Sequence, residues 1–143
     1  MAPVSGEPHG IYRLDVLFSD CDPARLVFYP RFFEWFDRAT WTLFRKAGLE
    51  GEKLGEVIFP LVDIKASFAA PVRWGERFEV ASTILEWRRS SFRVLHEGRV
   101  GEAVRCVSEE TRVWSVPRDG GIVPTEIPRE IRDALPARAR ADG

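Results

Sequence analysis

An α+β fold, one long helix packed against an antiparallel sheet, is predicted for this 143-residue chain by three observations. Between Pro30 and Ala47 apolar residues recur at three- and four-residue spacing, the mark of an amphipathic helix. From Val62 onward they recur at every second position, the period of half-buried strands. The segments joining those strands are mostly short, and short connections imply antiparallel neighbours. A curved sheet wrapped around the helix would bury its whole aromatic face.

Residues 1–10 carry two prolines and two glycines without periodicity and are expected to be a loose tail. Ile11 to Phe18 favours a strand, broken by the turn residues Ser19-Asp20-Cys21-Asp22-Pro23. Pro30 suits the first position of the helix and Gly48 its C-terminal stop. Phe32, Phe33, Phe36, Ala39, Leu43, Phe44 and Ala47 form the apolar face, while Arg45 and Lys46 sit favourably at the negative end of the dipole. Four strands are then expected: Val62 to Phe68, Arg77 to about Trp87, one around Phe92–His96, and a long one from Ala103 to Val116. A loop at residues 117–121 and a short helix from Pro128 to Leu135 follow, and residues 136–143 are expected to fray. The whole, residues 1–143, reads as one domain, with no internal repeat or linker.

Composition narrows the function. Hydrophobic residues make up 45% and charged residues 30%, a globular balance rather than a disordered one. A net charge of −1 with scattered arginines argues against nucleic-acid binding, so an anionic ligand requires a local basic cluster. Cys21 and Cys106 are too few for a disulfide framework and match no zinc spacing, which points to a reducing, cytoplasmic setting. MAPVSGEPHG lacks the pattern of a signal peptide, and no apolar run approaches the ~20 residues that span a bilayer.

Candidate functional residues are densest between Phe18 and Pro30, where Asp20 and Asp22 lie in a loop just before the long helix. A helix N-terminus presents unpaired backbone N–H groups and a positive dipole end, the donors that stabilise an oxyanion. A neighbouring carboxylate can serve as nucleophile or as general base toward water. The combination suggests acyl transfer or hydrolysis, although an Asp before a helix is more often a cap or turn residue. Trp87-Arg88-Arg89-Ser90-Ser91 joins two strands. Its arginines read either as solvated charge at a hairpin or, if the turn is tight, as a phosphate grip.

Residues Phe18 to Pro30, followed by Phe33-Glu34-Trp35-Phe36-Asp37, closely resemble the active-site segment of the 4-hydroxybenzoyl-CoA thioesterase family. Leu85 to Phe92 resembles the matching segment of the bacterial hydroxybenzoyl-CoA thioesterases, and the likeness extends from about Ile11 to Leu135. The resemblance implies a hot-dog fold and hydrolysis of an aryl-CoA, such as 4-hydroxybenzoyl-CoA, to the free acid and CoA without a cofactor. It implies that Asp22 is the catalytic carboxylate and that the backbone N–H of Tyr29 receives the oxyanion; Asp20 then ties down the loop. It implies that Arg88, Arg89, Ser90 and Ser91 contact the CoA phosphates, and that dimers pair into tetramers with each active site at a subunit interface.

Three departures bear on the acyl group. Some of those enzymes carry lysine at Ser90 and glycine at Arg25, and no aromatic pocket residue stands in Leu49-Glu50-Gly51-Glu52. Arg25 would line the pocket mouth, pair with a carboxylate or point to water. A thioesterase for short or branched aliphatic acyl-CoA or for an acyl carrier protein, and a non-catalytic acyl-CoA-binding module, stay open as alternatives. His96 reads as a core or interface residue, Cys21 lacks a histidine partner for thiol catalysis, and Asp20-Cys21-Asp22 lacks the further ligands a metal needs.

Overall fold

The computed structural model describes residues 6–140. Five strands form one antiparallel sheet in the order β1-β3-β4-β5-β2: β1 (Gly10–Asp15), β2 (Leu61–Phe68), β3 (Arg77–Trp87), β4 (Ser91–Val100) and β5 (Ala103–Val113). The long helix α1 (Pro30–Lys46) packs on one face of this sheet. This is the α+β, hot-dog arrangement that the sequence and its resemblance predict.

α1 begins and ends where its residues dictate. Pro30 occupies the first helical position, where no N–H is needed. At the other end Gly48 takes φ +84°, the Leu49 N–H donates to the Phe44 carbonyl (2.8 Å) and the Gly48 N–H to the Arg45 carbonyl (3.0 Å). These are the paired bonds of a Schellman stop. The buried face is Phe32, Trp35, Phe36, Ala39, Thr40, Leu43 and Phe44. Trp35 and Thr40 replace Phe33 and Ala47 of the predicted set, because the sheet curls far enough round the helix to cover its flank.

Two apolar clusters divide the core. One gathers Phe32, Trp35 and Phe36 with Phe78 and Val80; the other gathers Leu43 and Phe44 with Phe59, Phe92 and Trp114. Between them runs a polar band, because Ser82, His96 and Ser108 stand opposite one another across β3, β4 and β5.

The strand ends differ from the sequence reading in three places. β1 stops at Asp15, and Phe18–Asp20 is a 3-10 turn closed by the Leu17 N–H donating to Asp20 Oδ2 (2.9 Å). The long last strand breaks at buried Trp114. The expected loop at residues 117–121 is a hairpin of β6 (Ser115–Arg118) and β7 (Gly121–Pro124). Asp119 (φ +48°) and Gly120 (φ +78°) form its two-residue turn, the left-handed pair that Asp-Gly favours. The short C-terminal helix α2 spans Arg129–Ala134.

The predicted loose tails need correction where they are described; residues 1–5 and 141–143 lie outside the described residues. Arg138 N–H donates to the Ile84 carbonyl (2.9 Å), so residues after α2 run beside the half of β3 that β1 leaves bare. His9 clasps the two together: the Ile84 N–H donates to Nδ1 (3.1 Å), and Nε2 lies 2.8 Å from the Pro136 carbonyl. That arrangement needs a neutral ring protonated on Nε2 alone. Burial and the nearby Arg138 charge lower the His9 pKa from 6.5, against the raising effect of the Pro136 carbonyl. The unfolded chain therefore binds a proton first, so the clasp's contribution is complete above pH 6.5 and is lost as pH falls through the lower folded value. Protection of the Ile84 and Arg138 amides, taken as exchange rate relative to the intrinsic rate at each pH, should fall as pH drops below 6.5 in the native protein, and His9→Gln should flatten that dependence; an unchanged protection profile would exclude the clasp.

Candidate functional site

The loop after β1 is drawn into a small hairpin that aims Asp22. Cys21 bridges Val27, the Asp22 N–H donates to the Leu26 carbonyl (2.9 Å) and the Arg25 N–H to the Asp22 carbonyl (2.9 Å). The hairpin is stitched to the β2–β3 connection by the Val27 N–H to the Val72 carbonyl (2.8 Å) and the Trp74 N–H to the Arg25 carbonyl (3.1 Å). Arg31, in the first turn of α1, reaches Asp20 (3.7 Å) and Glu34 (3.1 Å). Asp20 thus ties loop to helix.

Asp22 Oδ1 accepts the Ala24 N–H (2.8 Å) and the Leu26 N–H (3.3 Å). Its other oxygen accepts no hydrogen bond from the described residues. Asp22 shares the wall of a cleft of about 560 Å³ with Tyr29, Phe28, Phe32, Phe68 and Ala69. At the head of α1 the Arg31 N–H donates to the Phe28 carbonyl and the Phe32 N–H to the Tyr29 carbonyl, and Pro30 has no N–H. The Tyr29 N–H donates to none of the described residues. A residue with one open carboxylate oxygen and a residue with an unpaired helix-terminal N–H therefore line one apolar cleft. Chemically this can attack, or activate water toward, a carbonyl while holding its oxygen.

The other predicted residues lie elsewhere. Arg25 adopts φ +65°, a conformation natural to glycine, and its guanidinium sits 5.8 Å above the Trp74 ring, outside the cleft lining. Of the three fates open to it, pointing to water comes nearest, since Arg25 is exposed, and its packing on the exposed Trp74 ring is an addition to them. Residues 88–91 do form a tight turn, closed by the Arg88 N–H to the Ser91 carbonyl (2.8 Å). Arg88 pairs with Glu86 (3.1 Å), and Arg132 of α2 braces the turn by donating to the Arg88 carbonyl (2.5 Å). Ser90 gives its carbonyl to the Trp114 N–H (2.6 Å), Ser91 opens β4, and Arg89 is exposed with no carboxylate partner among the described residues. The Asp22 loop flanks the start of β3 and this turn its end, about 30 Å apart at strand rise. One chain does not bring them together.

The sequence reading missed Phe68-Ala69-Ala70-Pro71, which lines the cleft opposite Asp22; its small residues and proline were the available signal. It also missed the polar band. Glu110, fully buried, lies against His96 Nε2, accepts the Thr40 hydroxyl (2.9 Å) and accepts Arg112 Nε. Arg112 donates further to the Phe59 carbonyl (3.1 Å) and to Asp37 Oδ1 (2.8 Å), and His96 Nδ1 meets the Ser82 hydroxyl (2.7 Å). Alternation along three strands and helical spacing in α1 hid this cluster, because its members are far apart in sequence. Among the described residues no three His, Cys, Asp or Glu side chains gather as metal ligands would.

Comparison with known proteins places this geometry. Residues 16–135 match the family model described as the thioesterase-like superfamily. The chain belongs to that family. It is 31% identical over 123 residues to the 4-hydroxybenzoyl-CoA thioesterase of Pseudomonas sp. strain CBS-3, covering 79% of this chain and 87% of that one. The solved structure of the 4-hydroxybenzoyl-CoA thioesterase from that strain superposes with a TM-score of 0.82 at 25% identity, over 90% of this chain and 99% of the other. A gentisyl-coenzyme A thioesterase superposes with a TM-score of 0.77 at 27% identity, over 88% of this chain and 98% of the other. The fold is the hot-dog fold of these thioesterases, and at family level the chain is a thioester hydrolase. No helix among the described residues is long and apolar enough to cross a membrane.

The polar band yields a test of how α1 is held over the sheet. Burial alone would raise the Glu110 pKa, but the His96 and Arg112 bonds and charges bring it below 4.5. The unfolded carboxylate protonates first, so this stabilisation is present above pH 4.5 and lost as pH falls through the lower folded value. Glu110→Ala, which strands Arg112 and His96 in the core, should cost about 3–5 kcal/mol in urea unfolding at pH 7. A loss below 1 kcal/mol would mean the cluster is dispensable.

Proposed function

We propose that this protein hydrolyses an aryl-CoA, of which 4-hydroxybenzoyl-CoA is the representative, to the free carboxylic acid and CoA. The observation that carries the reading is that Asp22 and Tyr29, whose N–H is unpaired, line one apolar cleft. The thioester carbonyl oxygen would sit on the Tyr29 N–H, which gains strength as negative charge develops there. The open oxygen of Asp22 would attack the carbonyl carbon, expelling CoA and leaving a mixed anhydride that water then cleaves to the acid and the free carboxylate, or would take a proton from a water that attacks the carbonyl and expels CoA directly. Phe28, Phe32 and Phe68 provide walls suited to a ring.

Because Arg88–Ser91 stands about 30 Å from Asp22 along β3, the reading assigns the CoA phosphates to that turn in a second copy of the chain. The working unit is then a homodimer, assembled into a homotetramer, with each site at a subunit interface. No cofactor takes part, and the setting is cytoplasmic degradation of aromatic acids. Exposed Leu61, Val62 and Phe68 along edge strand β2 leave a surface for such pairing.

Steady-state hydrolysis of 4-hydroxybenzoyl-CoA, benzoyl-CoA and a short aliphatic acyl-CoA tests the proposal. The native protein should prefer the aryl substrates in kcat/KM. Asp22→Asn, which keeps an oxygen for the Ala24 and Leu26 N–H groups, should lower kcat by a factor on the order of 10³ while the protein stays folded. Faster turnover of the aliphatic substrate would move the assignment to another acyl group. Tight binding without turnover would make the protein an acyl-CoA-binding module.

A further inference from the structure

A second cavity, about 480 Å³, opens beside the C-terminal half of α1 and shares no lining residue with the Asp22 cleft. Its walls include Tyr12 of β1, Trp41 of α1, and Leu49 and Leu54 from the turn after the helix, with Arg38 and Arg45 reaching in from α1. Trp41 is held in place by stacking on Phe59, ring centroids 4.5 Å apart. The Schellman stop at Gly48 and the 3-10 turn Gly51–Leu54 hold the opposite wall.

Many arginines of this molecule pair closely with carboxylates, whereas the two at this cavity form no such ion pair. Arg38 donates to the Tyr12 hydroxyl (3.4 Å) and feels the Glu34 and Asp20 carboxylates, neither of which lines the cavity, and Arg45 has no carboxylate partner among the described residues. They stand seven residues apart, two turns on one helix face, about 10 Å along the axis. Asp37 also borders the cavity and accepts from Arg112, whose charge it shares with buried Glu110. Glu50 is the one carboxylate at the rim that no described cation answers, and it is exposed. What the cavity presents is two guanidinium groups beside aromatic and aliphatic walls, with the Asp37 and Glu50 carboxylates at its border.

We propose that this cavity binds an aromatic carboxylate, the ring lying among Tyr12, Trp41, Leu49 and Leu54 and the carboxylate on Arg38 and Arg45. A guanidinium matches a carboxylate in plane and donors, and the ring gains by leaving water against apolar walls. The free acid released by aryl-CoA hydrolysis belongs to this class. Occupancy of the cavity by product therefore gives the enzyme a site for feedback apart from its cleft. The feedback sense rests on the aryl-CoA reading; the binding itself does not.

Titration of the full chain with benzoate and with its neutral isostere benzamide, followed by NMR, separates the two. Benzoate should shift the Trp41 indole and the Leu49 and Leu54 methyl signals saturably, ahead of the Ala69 and Ala70 methyls of the Asp22 cleft. Benzamide should bind at least tenfold more weakly. Arg38→Gln combined with Arg45→Gln, both at exposed positions, should weaken benzoate at least tenfold with the melting temperature unchanged, and Glu50→Gln should tighten it. Equal binding of benzamide, indifference to the arginine pair, or shifts confined to Ala69 and Ala70 would each overturn the proposal. None of these readouts requires thioester turnover, so a failure to hydrolyse aryl-CoA leaves the binding result standing.

Discussion

Every functional feature of this molecule hangs from the burial of one helix face. Phe36, Leu43 and Phe44 of α1 are wholly enclosed by the sheet. Each such side chain contributes about 1.5–3 kcal/mol by leaving water, so the helix cannot rotate or slide without uncovering several at once. Its N-terminus, and with it the Tyr29 N–H, is thereby held at one point in space. The Asp22 hairpin is stitched to the same end by backbone bonds to residues 72 and 74 and by the Asp20–Arg31 contact. A carboxylate and a donor on separate elements share a cleft because both elements are anchored to the same apolar core.

The polar band serves a different purpose from the apolar clusters on either side. Apolar contact is nondirectional and would tolerate small shifts of the helix. The Thr40 hydroxyl on Glu110 and the Arg112 guanidinium on Asp37 tolerate none, because a displaced helix would leave buried charges unmatched. The band fixes the register between α1 and the strands β4 and β5. It also reaches the second cavity, because the same Arg112 donates to Asp37 at that cavity's edge.

Local physics was legible in the chain. Pro30 and Gly48 marked the helix because one lacks an N–H where none is used and the other accepts a positive φ. Alternation marked β2 and β4, and the Asp-Cys-Asp-Pro segment marked the candidate loop through its resemblance to a known family. The Asp-Gly turn at residues 119–120 was equally local, yet it was read as loop because β6 and β7 are too short to show alternation. The tail after α2 was misjudged for another reason: the bare half of β3 that it covers is a property of strand pairing, and composition carries no trace of it.

The sequence by itself determined the fold class, the extent and the polarity of α1, and the family to which the chain belongs, since these follow from periodicity, terminal residues and contiguous motifs. Tertiary structure alone decided which distant residues meet. It joined Thr40, His96, Glu110 and Arg112 in one buried cluster, laid Ala69 and Ala70 opposite Asp22, turned Arg25 onto Trp74, and set Arg88–Ser91 at the far end of the sheet from the cleft. The physical reason is strand register. A sheet aligns residues by hydrogen-bond pairing across gaps of tens of residues, and that alignment is chosen by the packing of the whole core rather than by any segment within it.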